Sequence, residues 1–377
     1  MTRHQRSKPE VRELDPFFGH FRAATARLPV GLIRVMPPAA PADLARAVEA
    51  LGRPLPAAYE AFLRSFDGAD LFHESVLVAG VGPAAPLRLA ELPQERAGEL
   101  AFAVAASGDR YVLDGAGRVL RYDAGADERA VAGSGFGPWL DATVAREQVL
   151  YGPDGEYAPD MFDPSGEEVT PLVALRQAER ALKQDPGAAG AAHARGVALR
   201  RLGRARAAVD ALAEATALDP DNPWPWFDLG RVALDDGQRA KAVAAFRQAA
   251  ALVPGPDGAR LLAWAARAAG DAPEATALRD EALARDAGLV ESLRRAAAAA
   301  ADDDDPDAEA EAAALLAAVA PAEVVVPRRR LPVIGQSTGQ STGQSVRESA
   351  APPPPPKRPR RPRPAAPPRS GGRRRGA

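Results

Sequence analysis

Gly196-Val-Ala-Leu-Arg-Arg-Leu-Gly203-Arg-Ala-Arg-Ala-Ala208-Val-Asp-Ala-Leu212-Ala-Glu-Ala215-Thr-Ala-Leu-Asp-Pro220 is answered 34 residues later by Gly230-Arg-Val-Ala-Leu-Asp-Asp-Gly237-Gln-Arg-Ala-Lys-Ala242-Val-Ala-Ala-Phe246-Arg-Gln-Ala249-Ala-Ala-Leu-Val-Pro254. Six positions agree on one register, and Pro186 extends the proline series backward. The residue types explain the agreement. Small side chains at Gly196/Gly230 and Ala208/Ala242 let two helices approach closely, and Gly203/Gly237 turn the chain between them. The larger Leu212 or Phe246 fills the gap, and proline ends the second helix. A single helical hairpin cannot bury its own apolar face, so about three stacked units are needed for stability. Two are well formed, 189–220 and 221–254. Residues 171–186 read as the second half of an earlier unit. Residues 259–300 read as a degenerate unit plus a capping helix, with Gly270 and Ala282 one residue out of register.

This 34-residue pattern resembles the tetratricopeptide repeat over about 171–290. The resemblance implies an all-α solenoid whose first helices line a concave groove for a protein or peptide partner. The groove positions would then be His193, Val197, Arg200 and Arg201 in one repeat, and Trp224, Phe227, Arg231 and Leu234 in the next. Aromatic and arginine side chains in a concavity are typical anchors. Trp224 and Phe227 fit a second role equally, as packing between repeats. The Lys/Asn pattern of chaperone-tail clamps is missing.

Upstream, the sequence reads as mixed helix and strand. Pro29 to Met36 is strand-like. Leu44, Val48 and Leu51 share one face of a helix stopped by Gly52, and a second helix from Pro56 carries Tyr59, Phe62, Leu63 and Phe66 before Asp67-Gly68. Strand signals follow at Ser75–Val81, Ala101–Ala105, Arg110–Asp114 and Arg118–Asp123, the last pair joined by Gly115-Ala-Gly117. A closing helix near Pro138–Glu147 presents Trp139, Leu140 and Val144. The order predicts an α+β domain with helices packed on a small antiparallel sheet.

The run Leu44 to Gly68, with Leu51-Gly52 and then Leu55-Pro56-Ala-Ala-Tyr59-Glu-Ala-Phe62-Leu63, resembles the signature of the SUKH superfamily. Gly108-Asp-Arg-Tyr111 to Asp123 is similar to that family's central hairpin, and Phe136-Gly-Pro-Trp139-Leu140 to its final helix. The resemblance covers 12–151 and implies a protein-binding domain of the cell-wall-synthesis-regulator or immunity-protein type. Asp67 stands where many members have Asn. By that analogy Asp67, Asp70 and Glu74 would face a basic partner, a toxin domain being one; a solvated loop is the alternative reading.

Residues 152–170, rich in Gly, Pro and Asp, read as a linker between the two regions, the second taken as 171–300. Residues 301–377 read as a low-complexity, disordered tail, in which Ala308–Ala320 could form an Ala-rich helix. The net charge of -2 hides a polarised chain. Residues 327–377 hold thirteen Arg or Lys against one acid, Glu348, a balance of +12; the first 326 therefore carry 35 basic and 49 acidic groups, or -14. Such a tail cannot bury enough apolar surface to order itself. It offers a nucleic-acid contact as the alternative function, although no aromatic residues interleave with its arginines.

Catalytic chemistry finds little footing. The absence of cysteine excludes disulfides, thiolate metal sites and a Cys nucleophile. His4, His20, His73 and His193 are scattered singly, without metal-ligand spacing. No lysine sits in a phosphate-binding loop, and Gly133–Gly137 does not match a dinucleotide fingerprint. Gly335-Gln-Ser337-Thr-Gly339 fits the nucleophile-elbow pattern but has neither a strand before it nor a helix after it. Asp302–Asp305 lacks the glycine and final Glu of a calcium loop. No apolar leader opens the chain, and no window reaches the roughly 18 residues of a membrane span. The expectation is a cytoplasmic, non-catalytic adaptor, with neither cofactor nor metal and no membrane association.

Overall fold

Aromatic side chains draw the N-terminal elements together. The computed structural model describes residues 18–320, apart from 94, 95, 97, 126, 127, 159, 160 and 163–168, so the basic tail at 327–377 lies outside the described residues. The chain runs α1 (Gly19–Arg27), β1 (Ile33–Val35), α2 (Pro41–Leu51), α3 (Ala57–Leu63), β2 (Ala69–Leu71), β3 (Val76–Val78), β4 (Leu100–Ala105), β5 (Arg110–Leu113), β6 (Val119–Tyr122), β7 (Arg129–Gly133) and α4 (Phe136–Glu147). The seven strands form one antiparallel meander in sequence order. Phe18, Phe21, Tyr59, Phe62, Phe102, Phe136 and Trp139 are buried in a common core under the helices. Most of their rings meet edge-on or tilted, as in Phe102–Trp139 at 4.9 Å and Tyr59–Phe136 at 5.2 Å, arrangements that the ring quadrupole favours. Tyr59 Oη donates to Ala79 O at 2.7 Å and ties α3 to the sheet. Burial, and then the nearby Asp67, push the Tyr59 hydroxyl far above its ordinary ionisation range, so it remains a neutral donor.

The expected α+β arrangement is present, with three local differences. α1, β2 and β7 have no counterpart in the pattern reading. The expected strand over 75–81 is only Val76–Val78, followed by an isolated bridge from Gly80 to Arg88. The third difference concerns acidic residues. Asp67 and Asp70 are 6% and 7% exposed and do not present carboxylates to a partner. Asp67 accepts from Val81 N at 2.6 Å and Gly82 N at 2.9 Å. Asp70 accepts from Glu74 N at 2.8 Å and lies 3.6 Å from Arg34. Phe72, His73 and Glu74 all have positive φ, so the Asp70 carboxylate holds a tight turn in a conformation that non-glycine residues seldom adopt. Of Asp67, Asp70 and Glu74, only Glu74 is exposed.

Beyond the partly described segment at 152–170 come α5 (Pro171–Gln184), α6 (Ala189–Arg201), α7 (Ala205–Leu218), α8 (Pro223–Asp235), α9 (Arg239–Leu252), α10 (Gly255–Ala269), α11 (Pro273–Arg285), α12 (Leu289–Asp302) and α13 (Pro306–Val319). Successive helices pack as antiparallel hairpins in a solenoid, and this array forms one compact unit with the sheet region. The close approaches inferred from the period are there. A Cβ on Gly196 would lie 2.5 Å from Leu212, and one on Gly230 would lie 2.6 Å from the Phe246 ring. In the third unit Trp264 occupies the place that glycine holds in the first two, which explains the degenerate pattern. Trp264 instead packs on Phe246 at 5.5 Å and Phe227 at 5.7 Å. The array also continues past 300. Ala308–Ala320, assigned to the tail, lies largely within α13, which packs against α10 and α11.

Gly230→Ala should cost about 1–3 kcal/mol despite its better helix propensity, because the methyl meets an aromatic ring fixed in a full core. In a Phe246→Leu background the same change should cost less. Urea unfolding followed by far-UV circular dichroism on the four proteins measures this coupling; equal costs in both backgrounds would refute it.

Candidate binding cleft between the sheet edge and the repeats

β7 pairs with β6 on one side only. An edge strand leaves backbone donors that need acceptors when buried. Here the repeats supply them. Val131 N donates to Asp219 Oδ2 at 2.8 Å, and Ser134 N donates to Asp185 Oδ2 at 2.8 Å, with Ser134 Oγ on the second carboxylate oxygen at 2.8 Å. Asp185 follows α5 and Asp219 follows α7, 34 residues apart, directly before Pro186 and Pro220. Both are buried, Asp185 completely. Val253 stands at the equivalent position after α9, so the acidic series stops at two. Approach is close because residue 133 is glycine: a Cβ there would lie 3.0 Å from Asp185 Oδ2 on the repeat side and 2.7 Å from Trp139 Cβ of α4. Ala189, at the start of α6, joins the hydrophobic core of the sheet region.

The clamp leaves a cleft of about 760 Å³ where the concave face looks toward the sheet. One wall is Tyr111 and Trp139 with Arg129 and Arg146; the other is largely alanine from α5 and α6, with His193, Val197 and Arg201. Trp224 stands at its edge, 41% exposed, and its Nε1 donates to Glu128 Oε2 at 2.6 Å across the gap. Burial works against the charge on Arg146, but Glu147 at 2.7 Å and Tyr111 outweigh it and hold the guanidinium above its ordinary value. The result is a mainly apolar cleft with fixed charges on its rim, suited to a side chain or short extended segment.

Of the eight groove residues expected from the sequence, His193, Val197, Arg201 and Trp224 line this cleft. His193 Nε2 meets Asp228 Oδ2 at 2.8 Å, bridging α6 to α8. The other four lie elsewhere, Leu234 packing half-buried against the core of the later helices. Arg200 is half-buried, with Nε out of contact with solvent. Phe227 packs against Phe246 and Trp264. Arg231 stacks over Phe227 and Trp264 and pairs with Glu311 of α13 at 3.6 Å. For Phe227 the packing role is the one found. The sequence reading missed Glu128, Asp185 and Asp219. The 34-residue spacing of the two Asp-Pro pairs was the available signal.

Residues 199–264 match the family model described as tetratricopeptide repeat. The helical array carries tetratricopeptide repeats. Solved structures similar to this chain include YrrB, described as a TPR protein with an unusual peptide-binding site, at 16% identity over 39% of this chain and 77% of that one, TM-score 0.29. MamA from Desulfovibrio magneticus RS-1 is 19% identical over 40% of this chain and 85% of that one, TM-score 0.29. Another MamA structure is 17% identical over 42% and 93%, TM-score 0.29. No curated protein matches the sequence. Among the described residues no helix is long and apolar enough to cross a membrane, and no group of His and acidic residues could hold a metal ion.

Asp219→Ala should leave the buried Val131 amide without an acceptor and cost about 1–3 kcal/mol. Asp219→Asn, which keeps an oxygen in place, should cost less. Hydrogen exchange at the Val131 amide gives the direct readout: protection falls in Asp219→Ala if the carboxylate is the acceptor and is unchanged if it is not.

Proposed function

We propose that this protein is a non-catalytic adaptor whose cleft between β7, α4 and the first repeat helices holds an extended segment of a partner protein. The carrying observation is the composite cleft itself. Repeat and sheet surfaces converge on it, and Trp224 remains exposed at its edge rather than packed away. An alanine wall lets a bound backbone approach closely, while Arg201 and His193 supply polar anchors. Aromatic and arginine side chains carry a large share of binding energy at such surfaces.

What supports the SUKH resemblance in the N-terminal region is its architecture: α2 and α3 lie between the first and second strands of an antiparallel meander that α4 closes. That likeness suggests protein recognition, with a toxin domain as the specific partner class. Asp67 and Asp70 contribute no surface to it, since both carboxylates are spent on the local backbone. The binding face is better placed at the cleft than at the β2–β3 turn.

The test is affinity capture with tagged full-length protein and its Trp224→Ala/Arg201→Glu variant from native cells, partners being identified by mass spectrometry. Calorimetry then measures the affinity of each recovered partner. The variant should bind about tenfold or more weakly, as for loss of a central aromatic and an arginine anchor, with an unchanged thermal melt. A partner held equally by both proteins would move the binding site away from the cleft.

A further inference from the structure

The C-terminal half of the concave face is occupied by the chain itself. Leu315 and Val319 of α13 enter the core cluster that contains Phe246, Leu262 and Trp264. Glu311 reaches Arg231 on α8, whose guanidinium lies 5.7 Å from the Phe227 ring and 5.6 Å from the Trp264 ring. A second cation, Arg267, stands 4.8 Å from Trp264. Glu311, Leu315 and Val319 are four residues apart in turn, so they share one face of the helix. The surface thus reads a helix by one carboxylate followed by two aliphatic side chains at four-residue steps.

We propose that this aromatic and arginine surface on α8 and α10 is a receptor for an acidic amphipathic helix of a partner protein, and that α13 is its occupant in cis. The surface shares no residue with the cleft described above and stands whether or not that cleft binds a peptide.

Three observations support an exchangeable occupant. The hold is confined to one face: within α13 Ala312, Leu315 and Val319 are buried, Leu316 and Ala318 pack half-buried beside them, and the first turn is exposed and acidic. A contact of this kind persists because a short tether keeps the local concentration of the helix high. The tether is an exposed acidic turn, Asp302–Asp305, in which Asp304 adopts φ 57, a left-handed conformation that is sparsely populated outside glycine. Charge also matches. Asp307, Glu309 and Glu311 give the helix an acidic first half, which the positive end of the helix dipole favours and to which Arg231 responds. A partner helix with the same acidic–aliphatic–aliphatic spacing would meet the same groups without the tether.

The experiment displaces α13 in the full chain with Leu315→Asp/Val319→Asp and adds a fluorescein-labelled peptide of residues 303–320 as the probe. The displaced variant should bind it about tenfold or more tightly than the wild type, where α13 competes in cis. Adding Arg231→Ala to that variant should weaken binding about fivefold, as for loss of a charge-assisted contact. A displaced variant that melts cooperatively yet binds no peptide would falsify the proposal and make α13 a fixed cap. If the variant does not melt cooperatively, hydrogen exchange on the wild type decides. Amides of α13 should exchange about a hundredfold faster than those of α10, by local opening. Equal protection overturns the idea, as does a wild-type dimer joined through exchanged α13, detected by light scattering.

Discussion

A sheet that ends in a buried edge must find acceptors for its last backbone donors, and β7 finds them at Asp185 and Asp219. Much of the arrangement depends on that constraint. Two carboxylates on consecutive repeats fix where the array lies along the strand and how far it stands off the sheet. They also cover an edge that would otherwise invite pairing with another chain. The cleft is the space left over once these contacts are made. Its alanine wall belongs to helices that the clamp holds in place, and its aromatic wall belongs to the sheet and α4.

The solenoid was legible in the sequence because its determinants are local and periodic. Gly196 with Leu212 and Gly230 with Phe246 are pairs sixteen residues apart within one unit, and the structure places each glycine beneath its partner. The aromatic stripe of α3 was legible for the same reason. What escaped were features set by distant contacts. β2 is three residues long, too short for an alternating pattern to stand out, and β7, Arg-Ala-Val-Ala-Gly, holds one β-branched residue among alanine and glycine. Asp67 and Asp70 looked like a solvated cluster because composition alone does not reveal that a carboxylate folds back onto its own turn. Arg231 and Phe227 lie on α8, but the covering helix α13 begins about 75 residues later and carries too much alanine to announce itself.

Trp264 marks where regularity ends. The first two units use glycine to draw a pair of helices together; the third replaces it with the largest side chain available, whose ring packs on Phe246 and Phe227. That ring also supports Arg231 and Arg267, so the position that is a bare backbone contact in the first two units becomes a polar, aromatic surface in the third. The same substitution that breaks the repeat pattern creates the chemistry that Glu311 meets.

The clamp on β7 also sets a register. Its two donors are Val131, within the strand, and Ser134, just past its end, and they meet acids that close α5 and α7, one full repeat apart. The next unit brings Val253 rather than an acid. The first units are consequently locked in register with the sheet: neither can be removed or moved without unseating the strand. Units beyond Pro254 are under no such restriction. The array is free to lengthen, shorten or diversify at that end alone, while the sheet and the cleft remain as they are.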